Sequence, residues 1–481
     1  SNNINENILF KTFSQFKYLE ELYLDNNKLK FVPFLSDMIS LRLISLNNNL
    51  FSTIPLCSTS LEILNLNNNY IRQFYSKYCL FIVNIIELNL ENNDIKQIPI
   101  EIEKCKRLKY LNLSNNPLMK YSESLFYIRT LNKLYLNICD IKYLPSIDLF
   151  SKYHSKTLTY LDLSENKLCS NLEQLTILTS LTILNLNNNK LYELHDHFQY
   201  MTCLEILNLN NNKLKHVPEC LTRMSHNTKK NINESLRELH LNGNQLTSLP
   251  DDIMHLILLS LLDISNNSFR LFPEQIVFLD HLTCLFYDQL NGIRISDLPQ
   301  EFTNFKYLKK CIFSNNQFSE IPLCIFKLKC LEYIDFSYNY LDGLQTEYLS
   351  NLENLKVINL KGNCFKKFPS TLFNFKWLHT VDLSENVYCL APPNDLNEII
   401  LRNHEHNIDE KNQCVEVVAQ DGRLAAPARL FAIINDKREE IGQTEFEFWN
   451  LAITRFGQSP TETGQKCAFF FQNVHTLLIT Q

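Results

Sequence analysis

The sequence predicts an α/β solenoid: a curved stack of repeats with a parallel sheet on its concave side and short helical or 3-10 segments on its convex side. Three observations carry this. The phrase LxxLxLxxNxL recurs sixteen times, legible in Leu204, Leu207, Leu209, Asn212 and Leu214, and a period of about 20 to 30 residues marks a solenoid. A second apolar series at spacing three follows most copies. The phrase stops near residue 390, where the composition changes abruptly.

The fourth place of the phrase falls at Leu22, Ile44, Leu64, Leu88, Leu111, Leu134, Leu161, Leu184, Leu207, Leu239, Leu262, Leu285, Cys311, Ile334, Ile358 and Val381. Strand side chains alternate with period two, so the LxL pair points inward from a short strand and its neighbours face outward. The closing Asn turns the chain out of the strand and bonds backbone groups of adjacent turns. It stands at Asn27, Asn69, Asn166, Asn212, Asn244, Asn316 and Asn363, with Cys139 replacing it once. The apolar series Ile253, Leu256, Leu259 and Ile276, Leu279, Leu282 then predicts a short helix or 3-10 segment. Prolines 55, 99, 145, 250, 273 and 322 precede such segments and suit a first helical position, where a missing N–H costs nothing.

These residues resemble the leucine-rich repeat family over about residues 11 to 390, and a repeat of about 23 residues with this proline is similar to the intracellular, Ras-group-like repeats. The resemblance implies a horseshoe that binds partners: scaffolding, control of a phosphatase or small GTPase pathway, or substrate choice by a ubiquitin ligase. Fold does not choose among these.

The expected organisation is an N-terminal cap and first convex segment at 1–18, the solenoid at 19–390, a cap and linker at 391–412, and a small α+β extension at 413–481. Residues 8–18 and an amphipathic helix at 394–401 are the expected caps, because an open stack would expose apolar layers. No alanine precedes Ala391, whereas eight occur from there on. In the extension, residues 415–419 and 430–434 flank Asp421-Gly422, a hairpin pattern, and Glu445 to Phe456 reads as a helix. A polar insertion at His226–Glu234 and an atypical stretch at Asp288–Asp297 interrupt the rhythm.

The start shows neither a basic n-region nor an apolar h-region, and no run of eighteen apolar residues occurs. Fifteen cysteines are scattered through the chain, many at apolar places such as Cys203, Cys284, Cys311 and Cys330. Without bracketing cysteine-rich caps, they point to a reducing cytoplasm or nucleus. The sequons at Asn112, Asn233 and Asn266 are read as chance matches in an Asn-rich chain.

Catalytic patterns fail. There is no GxxxxGK or GxGxxG loop among eight glycines, no HExxH and no CxxC. His404-Glu405-His406 reads as solvated linker, and Cys414, Cys467 and His475 match no thiol-site signature. No catalytic residue, metal site or cofactor is therefore expected, and the chain reads as a noncatalytic interaction scaffold or regulatory subunit. The competing reading makes the repeats a targeting module for an enzymatic or ubiquitin-ligase substrate-receptor activity in the extension.

Sixteen strands about 4.8 Å apart span about 70 Å, enough to cradle a folded protein. The third, fifth and seventh places carry ten acids against Lys133, Lys310 and Lys361. That balance disfavours nucleic acid, whose phosphates draw on Lys and Arg. Tyrosines fall on the same places in consecutive repeats. The expected partner-binding residues are Tyr110, Tyr135, Tyr160, Asp162, Glu165, His240, Asp263, Tyr333 and Asp335, with a second partner on the extension. The outward asparagines Asn65, Asn67, Asn185, Asn187, Asn208 and Asn210 read as coding bias.

Overall fold

The computed structural model describes residues 16–118, 125, 128–145, 156–169, 172–223, 231–366, 369–386 and 416–418. The chain divides into two compact units, Ser1–Ser268 and Phe269–Gln481. In the first, eleven three-residue strands follow one another: β1 (Glu21–Tyr23), β2 (Leu43–Ser45), β3 (Ile63–Asn65), β4 (Glu87–Asn89), β5 (Tyr110–Asn112), β6 (Lys133–Tyr135), β7 (Tyr160–Asp162), β8 (Ile183–Asn185), β9 (Ile206–Asn208), β10 (Glu238–His240) and β11 (Leu261–Asp263). Each pairs in parallel with the next. The second unit continues the pattern with β12 (Cys284–Phe286), β13 (Lys310–Ile312), β14 (Tyr333–Asp335), β15 (Val357–Asn359), β16 (Thr380–Asp382) and β17 (Glu416–Val418).

The fourth frame residue is the middle of every strand from β1 to β16, and register sets these residues opposite one another, as in Leu22↔Ile44 and Ile44↔Leu64. They are buried while most of their strand neighbours are not, so one inward ladder forms the core edge within each unit. Tyr287 departs from the frame: it fills the sixth place, usually Leu, and is fully buried among Phe269, Phe272 and Phe313.

The closing amides behave as the phrase predicts and are more numerous than the seven expected. Asn49 donates to the carbonyls of Leu24 at 2.9 Å and Leu46 at 3.1 Å while its Oδ1 accepts from Leu29 N–H. Asn93, Asn116, Asn189, Asn267, Asn339 and Asn386 repeat this arrangement. Cys139 supplies a thiol donor instead, 3.2 Å from the Leu113 carbonyl.

Three of the six outward asparagines, Asn185, Asn208 and Asn210, bond backbone groups and so serve the fold. Asn185 and Asn208 accept from the N–H two residues on, which fixes the strand exit, and Asn47 and Asn210 accept from N–H groups of the next repeat. The eighth place has positive φ in fifteen repeats, nine times as Asn and twice as Gly. Those two residues tolerate that conformation best.

On the other side of most described repeats lie 3-10 segments, mostly of five residues, such as Ile100–Lys104, Asp251–His255 and Glu274–Phe278, while Glu219–Thr222 and Thr346–Leu349 are single α-helical turns. At three of the expected places proline sits one residue earlier, at the N-cap, where Pro99, Pro250 and Pro273 are extended; Pro322 lies two residues before the N-cap Cys324, and no helical segment follows Pro55 before β3. The carbonyls of Pro99, Pro250 and Pro273 accept the first-turn N–H of Ile102, Ile253 and Ile276. A cap needs a carbonyl and an extended φ, both of which proline provides.

All twelve described cysteines are free thiols. Cys311 is buried as expected, but Cys203 is exposed because it precedes the first frame leucine. Of the insertion, Ile232–Glu234 forms a 3-10 turn and 224–230 lie outside the described residues. In the Asp288–Asp297 stretch, Asp288 accepts from Ser314 Oγ at 2.7 Å and Leu290 N–H at 2.8 Å. The segment expected to begin a hairpin contributes β17, which adds to β16 in parallel. The remaining extension, the cap at 394–401 and residues 1–15 lie outside the described residues. No helix among the described residues is long and apolar enough to cross a membrane.

Candidate partner-binding surface

Each of the strands β1 to β16 offers two outward side chains beside its buried centre. Register places Tyr110 of β5 opposite Lys133 of β6, and Lys133 opposite Tyr160 of β7. Tyr135 stands opposite Asn112 on one side and Asp162 on the other. The three tyrosines are thus diagonal neighbours, and their rings still meet: Tyr110 and Tyr135 centroids are 5.2 Å apart, Tyr135 and Tyr160 4.7 Å. Such tilted ring pairs contribute about 0.5–1.5 kcal/mol beyond area burial. All three are half-buried, so each ring keeps an open edge.

The phenols are held protonated. Burial, then the Asp162 carboxylate and Tyr135, pushes Tyr160 up to about 12. Burial and Asp162 raise Tyr135, and burial and Tyr135 raise Tyr110. The surface therefore presents three aromatic faces with hydroxyl tips beside an exposed lysine, Lys133.

The acids of the expected set serve the fold first. Asp162 is buried and accepts from Ser164 N–H at 2.9 Å and Ser164 Oγ at 2.6 Å. Asp335 makes the same pair of bonds with Ser337 and accepts from Asn359 Nδ2 at 2.8 Å. Asp263 accepts from Ser265 N–H at 3.0 Å. A recurring Asp-x-Ser, also at Asp382 and Ser384, is thus a strand-exit turn. Burial raises the carboxyls of Asp263 and Asp335 despite these bonds. Glu165 is exposed but lies off the strand, at the positive-φ place of its exit turn.

His240 and Asp263 face each other across β10 and β11, and His240 Nε2 lies 3.4 Å from Glu238. In the second unit, Tyr333 hydroxyl is 3.5 Å from Asp335, and burial pushes it up to about 12. Lys310 lies over the rings of both Phe286 and Tyr333, at 5.2 and 4.8 Å. Phe286 was missed in the sequence because it occupies an outward place without belonging to a tyrosine or acid series.

Profiles of known families match this repeating geometry. One described as leucine rich repeats (2 copies) matches residues 83–125, and one described as leucine rich repeat matches 203–224 and 235–256. The chain is a leucine-rich repeat protein. A leucine-rich repeat protein of Leptospira interrogans shares the fold with a TM-score of 0.65 at 26% identity, covering 76% of this chain and 88% of that one. The TLR13–ssRNA13 complex gives 0.62 at 22% identity over 86% of this chain and 59% of that one. Adenylate cyclase of Schizosaccharomyces pombe is 25% identical over 365 residues, which is 70% of this chain and 21% of the cyclase. In leucine-rich repeat terms, the residues that vary between the frame leucines supply every aromatic and charged group described above.

Proposed function

We propose that this leucine-rich repeat chain is a noncatalytic scaffold or regulatory subunit that takes a protein partner on the outward face of β5 to β7. The observation behind this reading is the half-buried ladder of Tyr110, Tyr135 and Tyr160. Rings already packed on one another lose little freedom on binding, and tyrosine brings large area with a polar tip. The acidic balance of the outward places argues against an RNA ligand such as the TLR13 complex holds. The segment beyond residue 413 extends this contact or docks a second partner.

The cyclase match favours one other reading, in which the repeats target an activity located outside them. Affinity capture with the parent chain, a Tyr135→Ala/Tyr160→Ala double variant and a chain lacking residues 403–481 separates the two. The double variant should weaken capture of the chief partner at least about tenfold, whereas Tyr192→Ala, an exposed tyrosine between strands, leaves it unchanged. Equal capture by both variants refutes the tyrosine site. A turnover lost with residues 403–481 refutes the noncatalytic reading.

A further inference from the structure

Two imidazoles and a carboxylate meet where adjacent 3-10 segments of the first unit run side by side. Glu173 opens the segment Glu173–Ile177; His195 caps the next, Asp196–Tyr200, and His197 is its second residue. His195 Nε2 and His197 Nδ1 each lie 3.7 Å from Glu173 Oε1, and the three donor atoms all lie within 4.8 Å of one another. The two imidazole rings are 4.6 Å apart, edge to face. Among the described residues this is the one group of three or more His, Cys, Asp or Glu with donor atoms so converged.

We propose that Glu173, His195 and His197 form a binding site for a divalent transition ion of the zinc type. At 3.7 Å neither imidazole makes a proper hydrogen bond to the carboxylate. A tetrahedral zinc with bonds of about 2.0–2.1 Å spaces its donors about 3.4 Å apart, so two of the three edges need shifts of only a few tenths of an ångström. The third closes by rotation of His197, whose side chain is 52% exposed. Imidazole and carboxylate donors suit such borderline ions. Two imidazoles and one carboxylate leave a coordination position facing solvent for water or a donor from another molecule.

Binding has a local consequence. His195 Nδ1 accepts the His197 N–H at 3.1 Å, which leaves the ring proton on Nε2. An ion at Nε2 moves that proton to Nδ1, so the cap hydrogen bond is given up and the first turn rearranges. The sequence concealed the site because Glu173 and His195 are a full repeat apart, and only stacking brings them together.

Cobalt(II) titration of the purified full chain tests the assignment, because its visible spectrum distinguishes nitrogen and oxygen donors from thiolates. The parent should bind one ion in a tetrahedral spectrum without thiolate charge transfer, and Glu173→Gln, His195→Gln and His197→Gln should each weaken binding at least about tenfold. Zinc should raise the unfolding temperature of the parent and not of the variants. Should His195→Gln fail to fold, the exposed His197→Gln decides alone. Parent-like binding by His197→Gln, or a spectrum dominated by thiolate absorption, overturns the site.

Discussion

Gly362 illustrates how one residue answers to both backbone and neighbour. Its φ is +64°, and a Cβ there would lie 2.5 Å from the Tyr338 ring. Tyr338 itself holds a φ of +54° in the preceding repeat, and its hydroxyl donates to Glu385 at 2.9 Å while Lys361 lies over its ring. Gly362→Ala should therefore cost about 1–3 kcal/mol through strain and the displaced ring. Gly343→Ala, with nothing within 4 Å of the added carbon, is the control and should change stability by less than about 0.5 kcal/mol. Equal urea midpoints for the two variants would refute the account. The same logic explains why Asn dominates the eighth place elsewhere.

At the scale of the element, each strand is only three residues long and gains little from its own hydrogen bonds. In many strands the exit turn adds to this, by a side-chain carbonyl or carboxylate that accepts from the N–H two residues on, as in Asp263 and Asp335. Both carboxyls are raised above the ordinary 3.8, chiefly by burial. The folded state thus binds these protons more tightly than the unfolded chain does. Their contribution to stability is fully present below 3.8 and is lost as pH rises through their raised values. An Asp263→Asn/Asp335→Asn variant keeps the accepting oxygen and removes the charge, so its stability should depend less steeply on pH in that window. Unfolding free energies measured by urea at several pH values should show the flatter slope, and an unchanged slope would sink the argument. The same geometry makes Asp162→Lys a poor probe of binding, since it would break two bonds to Ser164.

Across the whole molecule, stacked repeats contribute nearly independent increments of stability plus terms with their immediate neighbours. Asn316 is the test case: fully buried, it donates to the carbonyls of Tyr287, Phe313 and Ser314 and accepts from Ile295 N–H. Asn316→Ala leaves those groups unpaired at a cost of about 1–3 kcal/mol. Hydrogen exchange should accelerate most around β12 to β14 and least around β1 to β4. Uniform acceleration throughout the chain would show a single cooperative unit and contradict the prediction.

The sequence alone determined the sixteen strands and their central residues, because a strict period leaves each frame leucine one place to go. It also placed the tyrosines of β5 to β7 on one face. Tertiary structure decided what the outward residues do. Diagonal register brings Tyr135 onto both its neighbours, Asn359 of the next repeat donates to the carboxylate of Asp335, and stacking joins Glu173 to His195 and His197. The physical reason is common to all three. A repeat specifies its own turn through local contacts, whereas lateral neighbours lie a full period apart and become partners only when the coils are laid against one another.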